Sequence, residues 1–321
     1  MPLRGKIISK DPLIIISSMR EPFFLGVASK FPLHFVDKKS YHILSPSWSL
    51  IKNIQHIKVQ LNQAQKIIPN AFFLILANEE VEYIQLKRHG IPCLLANSNI
   101  FINENDFRPI EAEIKYSAMY NAALQPYKRH HLCEYVSDLA LIYYIWSNTP
   151  ENEKYTSKIK SLLSSATFLN EDCKGVYRRL SCTEVAEANA RSAVGLCLSS
   201  VEGAMRAAIE YLLCGIPIVS TPSWGGRQRY FNQFNSILSA PDPKKIAYAI
   251  KTIESRSLSK TDIRNETMSI IKFERNNFLT LLSFLFWELF KIDNIFNNFT
   301  VFDDSLTYRS WDEWEAYLLK N

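Results

Sequence analysis

Residues 195–226 read GLCLSSVEGAMRAAIEYLLCGIPIVSTPSWGG, and this stretch contains the pattern that decides the fold. Its two short apolar runs, at 195–198 and 216–220, have the length and composition of buried strands. Between them, residues 204–214 carry the spacing of apolar side chains that favours a helix. A strand, a helix and a second strand in this order are typical of a parallel α/β sheet.

Two glutamates, Glu202 and Glu210, lie between these predicted strands. Glu202 falls in the turn before the helix, and the free N–H groups and positive dipole end of a helix start bind phosphate. Eight residues of helix span about 12 Å, so Glu202 could accept hydrogen bonds from a sugar and Glu210 from a ribose. The alternative is that Glu202 is an N-cap acid and Glu210 a solvated residue, although Glu210 is flanked by apolar residues on both sides.

Outward from this segment, short apolar runs alternate with helical patterns along the chain. The alternation predicts two doubly wound sheets, and the polar residues 97–115 have the composition of a linker. We therefore expect an N-terminal domain at 1–114, a second domain at 115–300, and a helix at 301–321 that packs back on the first domain. The predicted strands are 13–16, 34–36, 72–76 and 92–96, then 116–123, 139–145, 166–169, 195–198 and 216–220.

The composition limits the classes of function. Lys and Arg exceed Asp and Glu by five, and the pI is about 8.7, which suits an anionic small molecule or an acidic membrane surface. The basic residues are scattered, which argues against a nucleic-acid partner. The six cysteines show no CxxC pair or zinc spacing, so no metal site is expected.

The two ends of the chain bear on localisation. The first residues lead into charged positions and lack the apolar stretch of a signal peptide, which predicts a cytoplasmic protein. The longest apolar run, residues 278–287, is shorter than the roughly 20 residues of a membrane span. It predicts a buried or interfacial helix and leaves open a peripheral contact at the cytoplasmic face of the inner membrane.

A wider set of motifs accompanies the two glutamates. Residues 199–226 resemble the C-terminal domain of retaining GT-B glycosyltransferases related to glycogen synthase, sucrose synthase and bacterial polysaccharide transferases. Their motif places seven residues between two Glu, and it is met here except that Tyr211 stands where the family has Ala. Residues 124–128, 239–250 and 97–109 resemble further loops of that family, so the resemblance covers about residues 70–250.

This resemblance implies a fold of two Rossmann-like, doubly wound α/β domains facing a cleft (GT-B), with a reduced N-terminal domain. It implies a metal-independent transfer of a sugar, of the hexosyltransferase type, from a nucleoside-diphosphate sugar to a cell-surface glycan or glycolipid, with retention. No cofactor is implied, because the nucleotide sugar is a substrate. Lys128 would contact the diphosphate, Glu202 the donor sugar and Glu210 the ribose, and the backbone of three residues would bind phosphate, namely Gly203, Ala204 and Met205.

Some positions depart from the family pattern. Ala123 stands where the family has a phosphate-binding Arg. Arg129 is the candidate substitute, because a guanidinium binds phosphate bidentately, and the alternative is that Arg129 is a surface cation. Arg227 is the first residue of an Arg-Gln-Arg segment that replaces the usual acid after Gly-Gly and supports extra binding of phosphate or of an anionic acceptor. His34 and His42 are the candidates for an acceptor-side His, each alternatively a structural residue.

Three other functions stay open. The chain could be a GT-B nucleotide-sugar epimerase, which would turn over a donor without any acceptor. It could be a non-catalytic subunit that binds a nucleotide sugar and scaffolds a partner transferase. It could also be a membrane-surface interaction protein, for which the apolar residues 278–290 are the support.

Overall fold

The computed structural model describes residues 3–144, 149–293, 300–303 and 307–320. The chain divides into two compact units, Met1–Asn103 with Ile271–Asn321, and Glu104–Ile270. Each is an α/β unit built around one six-stranded sheet.

The regular elements alternate as the apolar pattern predicts. The strands are β1 Leu3–Lys10, β2 Leu13–Met19, β3 Ser40–Pro46, β4 Ala71–Ala77, β5 Cys93–Leu95, β6 Tyr116–Asn121, β7 Leu139–Ile142, β8 Thr167–Phe168, β9 Ser192–Cys197, β10 Ile218–Ser220, β11 Ser236–Leu238 and β12 Thr307–Arg309. The helices are α1 Ile54–Ile67, α2 Glu80–Arg88, α3 Pro150–Leu162, α4 Cys182–Ala190, α5 Arg206–Leu213, α6 Pro243–Glu254, α7 Lys260–Phe290, α8 Thr300–Asp303 and α9 Trp311–Lys320.

The sheet of the first unit has the order β12-β1-β2-β3-β4-β5. Strands β2 to β5 are parallel and adjacent in chain order, whereas β1 and β12 extend the sheet with antiparallel pairing. Strand β2 is buried on both faces, because Leu13 and Ile15 belong to one apolar cluster and Ile14 and Ile16 to the other. Such a strand reads as a continuous apolar run, which is the pattern in the sequence.

Different parts of the chain cover the two faces of this sheet. Helices α1, α2 and α9 pack on one face, through residues such as Ile57, Leu86 and Trp314. The other face is covered by α7, whose Phe278, Leu282 and Phe286 are buried against the strands. The first sheet thus obtains one of its two helical layers from the residues that follow the second unit.

This arrangement differs from the domain boundaries expected from the sequence, 1–114, 115–300 and 301–321. Residues 271–293 and 300–303 belong with the first unit, because the buried face of α7 and the side chains of Val301 and Phe302 pack on its sheet. Trp314 of α9 donates from Nε1 to the carbonyl oxygen of Leu3, 2.9 Å away, in the same unit.

The sheet of the second unit has the order β11-β10-β9-β6-β7-β8, and all its strands are parallel. Counted along the chain, this is the Rossmann order 3-2-1-4-5-6. The direction of winding reverses between β6 and β9, which are neighbours in the sheet but are separated by β7 and β8 in the chain. Ligands of such sheets bind at this switch point, beyond the carboxyl ends of the strands.

Two of the predicted strands differ from the observed elements. The prediction of a strand at residues 34–36 is wrong: Pro32–Phe35 is a 3-10 helix, and the strand lies at Ser40–Pro46. A three-residue apolar run is too short to tell a strand from a single buried turn, and Phe35 is that buried turn residue. The predicted strand 139–145 ends at Ile142, and residue 145 lies outside the described residues.

The long helix α7 presents an exposed apolar side as well as a buried one. Phe273, Phe284 and Trp287 are exposed on it, although their neighbours Phe278, Leu282 and Phe286 are buried. None of the helices in the described part of the chain combines the length and apolar character that a bilayer crossing requires.

Candidate functional site

The residues named for the donor come from two loops at the switch point of the second sheet. Lys128 lies in the loop after β6, and Glu202 lies in the loop after β9. Since β6 and β9 are parallel neighbours, their carboxyl ends meet at one edge, and the two loops are brought together there.

Lys128 and Glu202 form a buried ion pair at this edge. The Lys128 ammonium donates to Glu202 Oε1, and the Ser199 hydroxyl donates to the same oxygen. Lys128 is 9% exposed and Glu202 3% exposed. Removing one partner of a buried pair leaves an uncompensated charge, which typically costs about 3–5 kcal/mol. The two side chains therefore depend on each other, or on a ligand that takes the place of one of them.

The Lys128 loop is held by main-chain hydrogen bonds on both sides. Residues 126–128 form a 3-10 turn that starts with Pro126, whose fixed φ suits that position. The buried Tyr120 hydroxyl donates to the Lys128 carbonyl at 2.5 Å, and burial raises its pKa well above the usual range, so that it stays a donor. The Ser200 N–H donates to the Tyr127 carbonyl at 2.8 Å, which ties the two loops together.

The Glu202 turn is fixed by a third loop, which follows β10. The Glu202 N–H donates to the Trp224 carbonyl at 2.8 Å, and the Trp224 N–H donates to the Ser200 carbonyl at 3.1 Å. Gly225 has φ +110°, and a Cβ there would lie 1.6 Å from the Glu202 carbonyl oxygen. Only glycine fits this close approach, which is the role expected of a Gly in a ligand-binding turn.

The start of α5 decides between the two interpretations of Glu202. The helix begins at Arg206 with Met205 as its N-cap residue, at φ 46° and without a side-chain cap. Glu202 lies three residues earlier and bonds Lys128, so it is not an N-cap acid. Gly203, Ala204 and Met205 are buried between Glu202 and the helix start. The prediction that their backbone binds phosphate stays a prediction.

Glu210 lies on α5, one residue before Tyr211. Its side chain is 12% exposed and faces Arg206, with 3.5 Å between Oε1 and the Arg206 Nε. It also acts on Tyr144, whose pKa is raised to about 12 by burial and then by the Glu210 charge. Glu210 is therefore a largely enclosed carboxylate and not a solvated one. Its expected contact with a ribose stays a prediction.

Arg129, the proposed substitute for the missing phosphate-binding Arg, is in contact with the protein main chain. It adopts a left-handed backbone conformation, at φ 54°. Its guanidinium donates to the carbonyls of Leu198 at 2.6 Å, Ser199 at 2.9 Å and Pro222 at 3.2 Å, and to Thr221 Oγ1 at 2.7 Å. The prediction that it binds phosphate stays open, and these bonds count against a direct contact.

The burial of Arg227 could not be predicted from the sequence. It is 0% exposed, and its guanidinium donates to the Ser199 carbonyl at 3.1 Å and to the Thr221 carbonyl. The available signal was the replacement of an acid by Arg-Gln-Arg, which does not tell a buried Arg227 from an exposed Arg229.

The two candidate acceptor-side histidines lie in the first unit, away from the carboxyl edge of its sheet. His42 is the third residue of β3, is 1% exposed, and stacks on Phe73 at 5.0 Å. Burial lowers its pKa to about 3, so it is neutral in the core. His34 precedes β3 and therefore lies toward the amino end of that strand, where Lys38 Nζ is 3.1 Å from its Nε2. These positions count against an acceptor role at the strand ends.

Comparison with known proteins places this geometry in a fold. No family model and no curated protein sequence matches the chain. Among solved structures, it is similar to sucrose-phosphate synthase from Thermosynechococcus elongatus, with 16% identity over 78% of this chain and 69% of that chain and a TM-score of 0.55. It is also similar to Anabaena HepE in complex with UDP-glucose, with 16% identity over 77% and 72% and a TM-score of 0.55.

A third similar structure is a UDP-forming α,α-trehalose-phosphate synthase from Burkholderia vietnamiensis, with 10% identity over 87% of this chain and 74% of that chain and a TM-score of 0.56. At these identities the likeness concerns the fold. Together with these similar structures, the two mostly parallel sheets and the switch point between β6 and β9 show that the chain has the GT-B fold.

Proposed function

We propose that this protein is a retaining glycosyltransferase that moves a hexose from a nucleoside-diphosphate sugar to a glycan or glycolipid acceptor. The observation that carries the proposal is the buried Lys128–Glu202 pair at the switch point of the second sheet. It places a cation for a diphosphate and a carboxylate for sugar hydroxyls side by side where ligands of such sheets bind.

The pair suggests how the donor binds. In the structure the Lys128 ammonium is held by Glu202. A diphosphate oxygen can take the place of that carboxylate as the partner of Lys128, since charge-assisted bonds of this kind are among the strongest in proteins. Glu202 is then available to accept hydrogen bonds from the donor sugar while Ser199 still holds it. Donor binding thus exchanges the Lys128–Glu202 ion pair for one between Lys128 and the diphosphate, and the Glu202 carboxylate is then held by the hydroxyl donors of Ser199 and the sugar.

The remaining roles follow from position. The N–H groups of Gly203, Ala204 and Met205 precede α5, and together with its positive dipole end they favour a phosphate. Glu210, four residues into the helix from Arg206, is proposed to bind the ribose. The complex of Anabaena HepE with UDP-glucose supports a uridine donor.

The chemistry proposed for the transfer is electrostatic. An oxocarbenium-like transition state forms as the nucleoside diphosphate leaves with retention at the anomeric carbon. Lys128 and the helix dipole stabilise the departing charge, and no metal is required in this scheme. A group that acts only on charge developing in the transition state typically contributes about 10²–10³ in rate.

A nucleotide-sugar-binding subunit without transfer activity is the second candidate. The position of His42 in the core of the first unit and of His34 before β3 favours it, because neither residue supplies an acceptor-side group at the strand ends. This subunit would bind a donor through the second unit alone, so the two candidates differ in turnover and not in binding.

A thermal-shift series followed by product analysis tests the proposal. Nucleoside diphosphates and their sugars are added to the full chain, and a ligand that binds the folded state raises the melting temperature. The best donor is then incubated with and without glycan acceptors, and the anomeric configuration of any product is read by NMR. Retained configuration supports the proposal. Binding without turnover indicates the subunit, turnover without acceptor indicates an epimerase, and no shift with any nucleotide contradicts all three.

The exposed apolar side of α7 supports a separate proposal, a peripheral contact with the cytoplasmic membrane surface. Phe284 is 63% exposed and Trp287 46% exposed, and Lys291 lies 5.5 Å from the Trp287 ring. An apolar stripe with a basic neighbour is typical of helices that lie in a membrane interface. Its test is given with the predictions below.

A further inference from the structure

Arg227 is a buried cation, and none of the ion pairs among the described residues includes it. It is fully buried, and its two terminal nitrogens donate to main-chain carbonyls of Ser199 and Thr221. Its Nε has no hydrogen-bond partner among the described residues. The described residues form no salt bridge between a carboxylate and this guanidinium.

Arg129 approaches the same carbonyl from the loop after β6. Ser199 therefore accepts from both guanidinium groups, at 2.9 Å from Arg129 and 3.1 Å from Arg227. A carbonyl is a neutral acceptor, so these bonds satisfy the donors without cancelling the charges. Burial lowers the pKa of Arg129, and the neighbouring Arg227 charge lowers it further.

Lys128 and Glu202 lie within electrostatic range of this pair. Arg227, Glu202 and Lys128 all act on the buried Cys197 thiol, whose pKa is raised to about 12 chiefly by burial; Arg227 and Lys128 act against this rise, and Glu202 adds to it. Glu202 balances one of the three cations of this group, Lys128, Arg129 and Arg227. Of the two remaining cations, Arg227 is fully buried and Arg129 is half-buried, and an unbalanced charge is costly where water is excluded. An excess of positive charge of this kind favours the binding of an anion.

Ser199 also connects Arg227 to the carboxylate of the pair. Its carbonyl is fixed by the two arginines, and its hydroxyl donates to Glu202 Oε1. Thr221, the other acceptor of Arg227, lies directly after β10 and leads into the loop whose Trp224 accepts from the Glu202 N–H. One buried side chain thus holds both loops that shape the Glu202 turn.

We propose that Arg227 is a positioning residue for the diphosphate of the donor, which it serves in two ways without touching it. It fixes Ser199 and Thr221, and thereby the Glu202 turn, and its unbalanced charge raises the affinity of the Lys128 site for a dianion. This proposal rests on the proposed donor site. It differs from the expectation for Arg129, because Arg227 is enclosed and acts through its neighbours.

The test measures binding of three probes to the full chain by calorimetry at low salt: UDP, inorganic pyrophosphate and uridine. R227M fills the same buried space without the charge, and R227K keeps the charge but cannot donate to both carbonyls in fork geometry. We expect R227M to lose tenfold or more in affinity for UDP and pyrophosphate and to leave the affinity for uridine unchanged. R227K should fall between R227M and the unmodified protein.

The control is R256M. Arg256 lies in the same unit, is exposed, and also donates to a main-chain carbonyl, that of Gln233 at 2.8 Å. R256M removes one positive charge, as R227M does, and should leave the affinities for UDP, pyrophosphate and uridine unchanged. The salt dependence of pyrophosphate binding should be weaker in R227M than in R256M, because fewer charges act on the anion.

The outcomes separate this proposal from the proposed function. If UDP does not bind but pyrophosphate binds in an Arg227-dependent way, the donor assignment fails and the role of Arg227 stands. Equal loss of UDP, pyrophosphate and uridine affinity in R227M would show a merely structural role and overturn the proposal. Should R227M not fold, R227K decides: a pyrophosphate affinity equal to that of the unmodified protein overturns it, as does the absence of pyrophosphate binding to the unmodified protein.

Discussion

The two sheets of this protein are similar in size, yet their carboxyl edges are built differently. In the second sheet the winding reverses between β6 and β9, and the loops that leave this point carry Lys128 and Glu202. In the first sheet β2 to β5 follow one another without a reversal. The switch point is where a ligand site forms in open α/β sheets, so the comparison favours the second unit as the location of the proposed donor site.

The polar groups at the edge of the first sheet bond one another. Asn78, directly after β4, donates to the Pro46 carbonyl at 3.0 Å and accepts from the Ser98 N–H at 2.9 Å. Glu82 accepts from the N–H groups of Leu50 at 2.6 Å and Asn78 at 2.7 Å. These bonds join the loops after β3, β4 and β5 into a closed network, whereas the second edge holds cations in excess over carboxylates.

The largest expected effect concerns the Lys128–Glu202 pair. Glu202→Gln and Lys128→Met should each lower the transfer rate about a thousandfold and the free energy of unfolding by about 3–5 kcal/mol, because each leaves its partner buried and alone. The double variant should regain most of the stability while transfer stays lost. Steady-state kinetics and urea unfolding measure the two quantities.

Glu187→Gln and Lys251→Met are the controls for this experiment, since both residues are exposed on helices of the same unit. They should change neither activity nor stability. Transfer at the normal rate by the double variant would contradict the assignment of the site.

The next effect compares glycines in the two units. Gly225→Ala should lower the free energy of unfolding by about 3 kcal/mol or more and weaken donor binding, because the new Cβ overlaps the Glu202 carbonyl. Gly90→Ala in the first unit is the control: it has φ +70° and nothing within 4 Å, so it should cost only the backbone strain of about 1 kcal/mol. Equal costs for the two, measured by urea unfolding, would argue against the close contact.

A pH-dependent effect is expected at the edge of the first sheet. Burial raises the pKa of Glu82 from 4.5 to about 7, against the lowering effect of its two N–H donors. Between these values the folded state keeps a proton that the unfolded state releases, so the contribution of Glu82 to stability falls as the pH rises from 4.5 to 7. The total change in the free energy of unfolding is about 3 kcal/mol.

Glu82→Gln isolates this contribution. The difference in free energy of unfolding between the unmodified protein and the variant should shrink across that pH range, whereas Glu80→Gln, exposed on the same helix, should give a constant difference. A constant difference for Glu82 would contradict the raised pKa. The contribution of His42 is the same in both proteins and cancels in this difference. The lowered pKa of His42 makes the stability fall as the pH falls below 6.5.

The smallest effect on stability concerns the exposed side of α7. Phe284→Glu should change the free energy of unfolding by less than about 0.5 kcal/mol, whereas Leu282→Ala, on the buried side, should cost about 2–5 kcal/mol. If α7 contacts a membrane, Phe284→Glu should also reduce co-sedimentation with phosphatidylcholine–phosphatidylglycerol vesicles. Undiminished binding by this variant would contradict the membrane proposal.

Much of the second unit could be predicted from the sequence because its signals are local. The apolar runs of β9 and β10, the helix between them and the spacing of Glu202 and Glu210 all lie within residues 195–226. Lys128 could be named with them because it follows a strand in a recognisable loop. The structure then brings Lys128 and Glu202 together, although their chemical roles stay proposals.

What could not be predicted depends on contacts between distant parts of the chain. Arg227 meets Ser199, 28 positions earlier, through a main-chain carbonyl that leaves no mark in the sequence. The cover that α7 gives to the first sheet is equally non-local, and so the boundary expected at 300 lies after residues 271–293, which belong with the first unit. Strand β3 begins with the polar residue Ser40, so the apolar pattern of the sequence indicates the shorter run at 34–36 instead.

The discontinuity of the first unit has a consequence for synthesis. Residues 104–270 form a continuous unit that can fold as soon as they leave the ribosome. Most of the first sheet is synthesised earlier, yet one of its faces stays uncovered until α7 emerges, and β1 pairs only with β2 until β12 emerges. During translation the first sheet therefore exposes apolar surface until α7 has been synthesised. Chaperone binding would matter most in this interval.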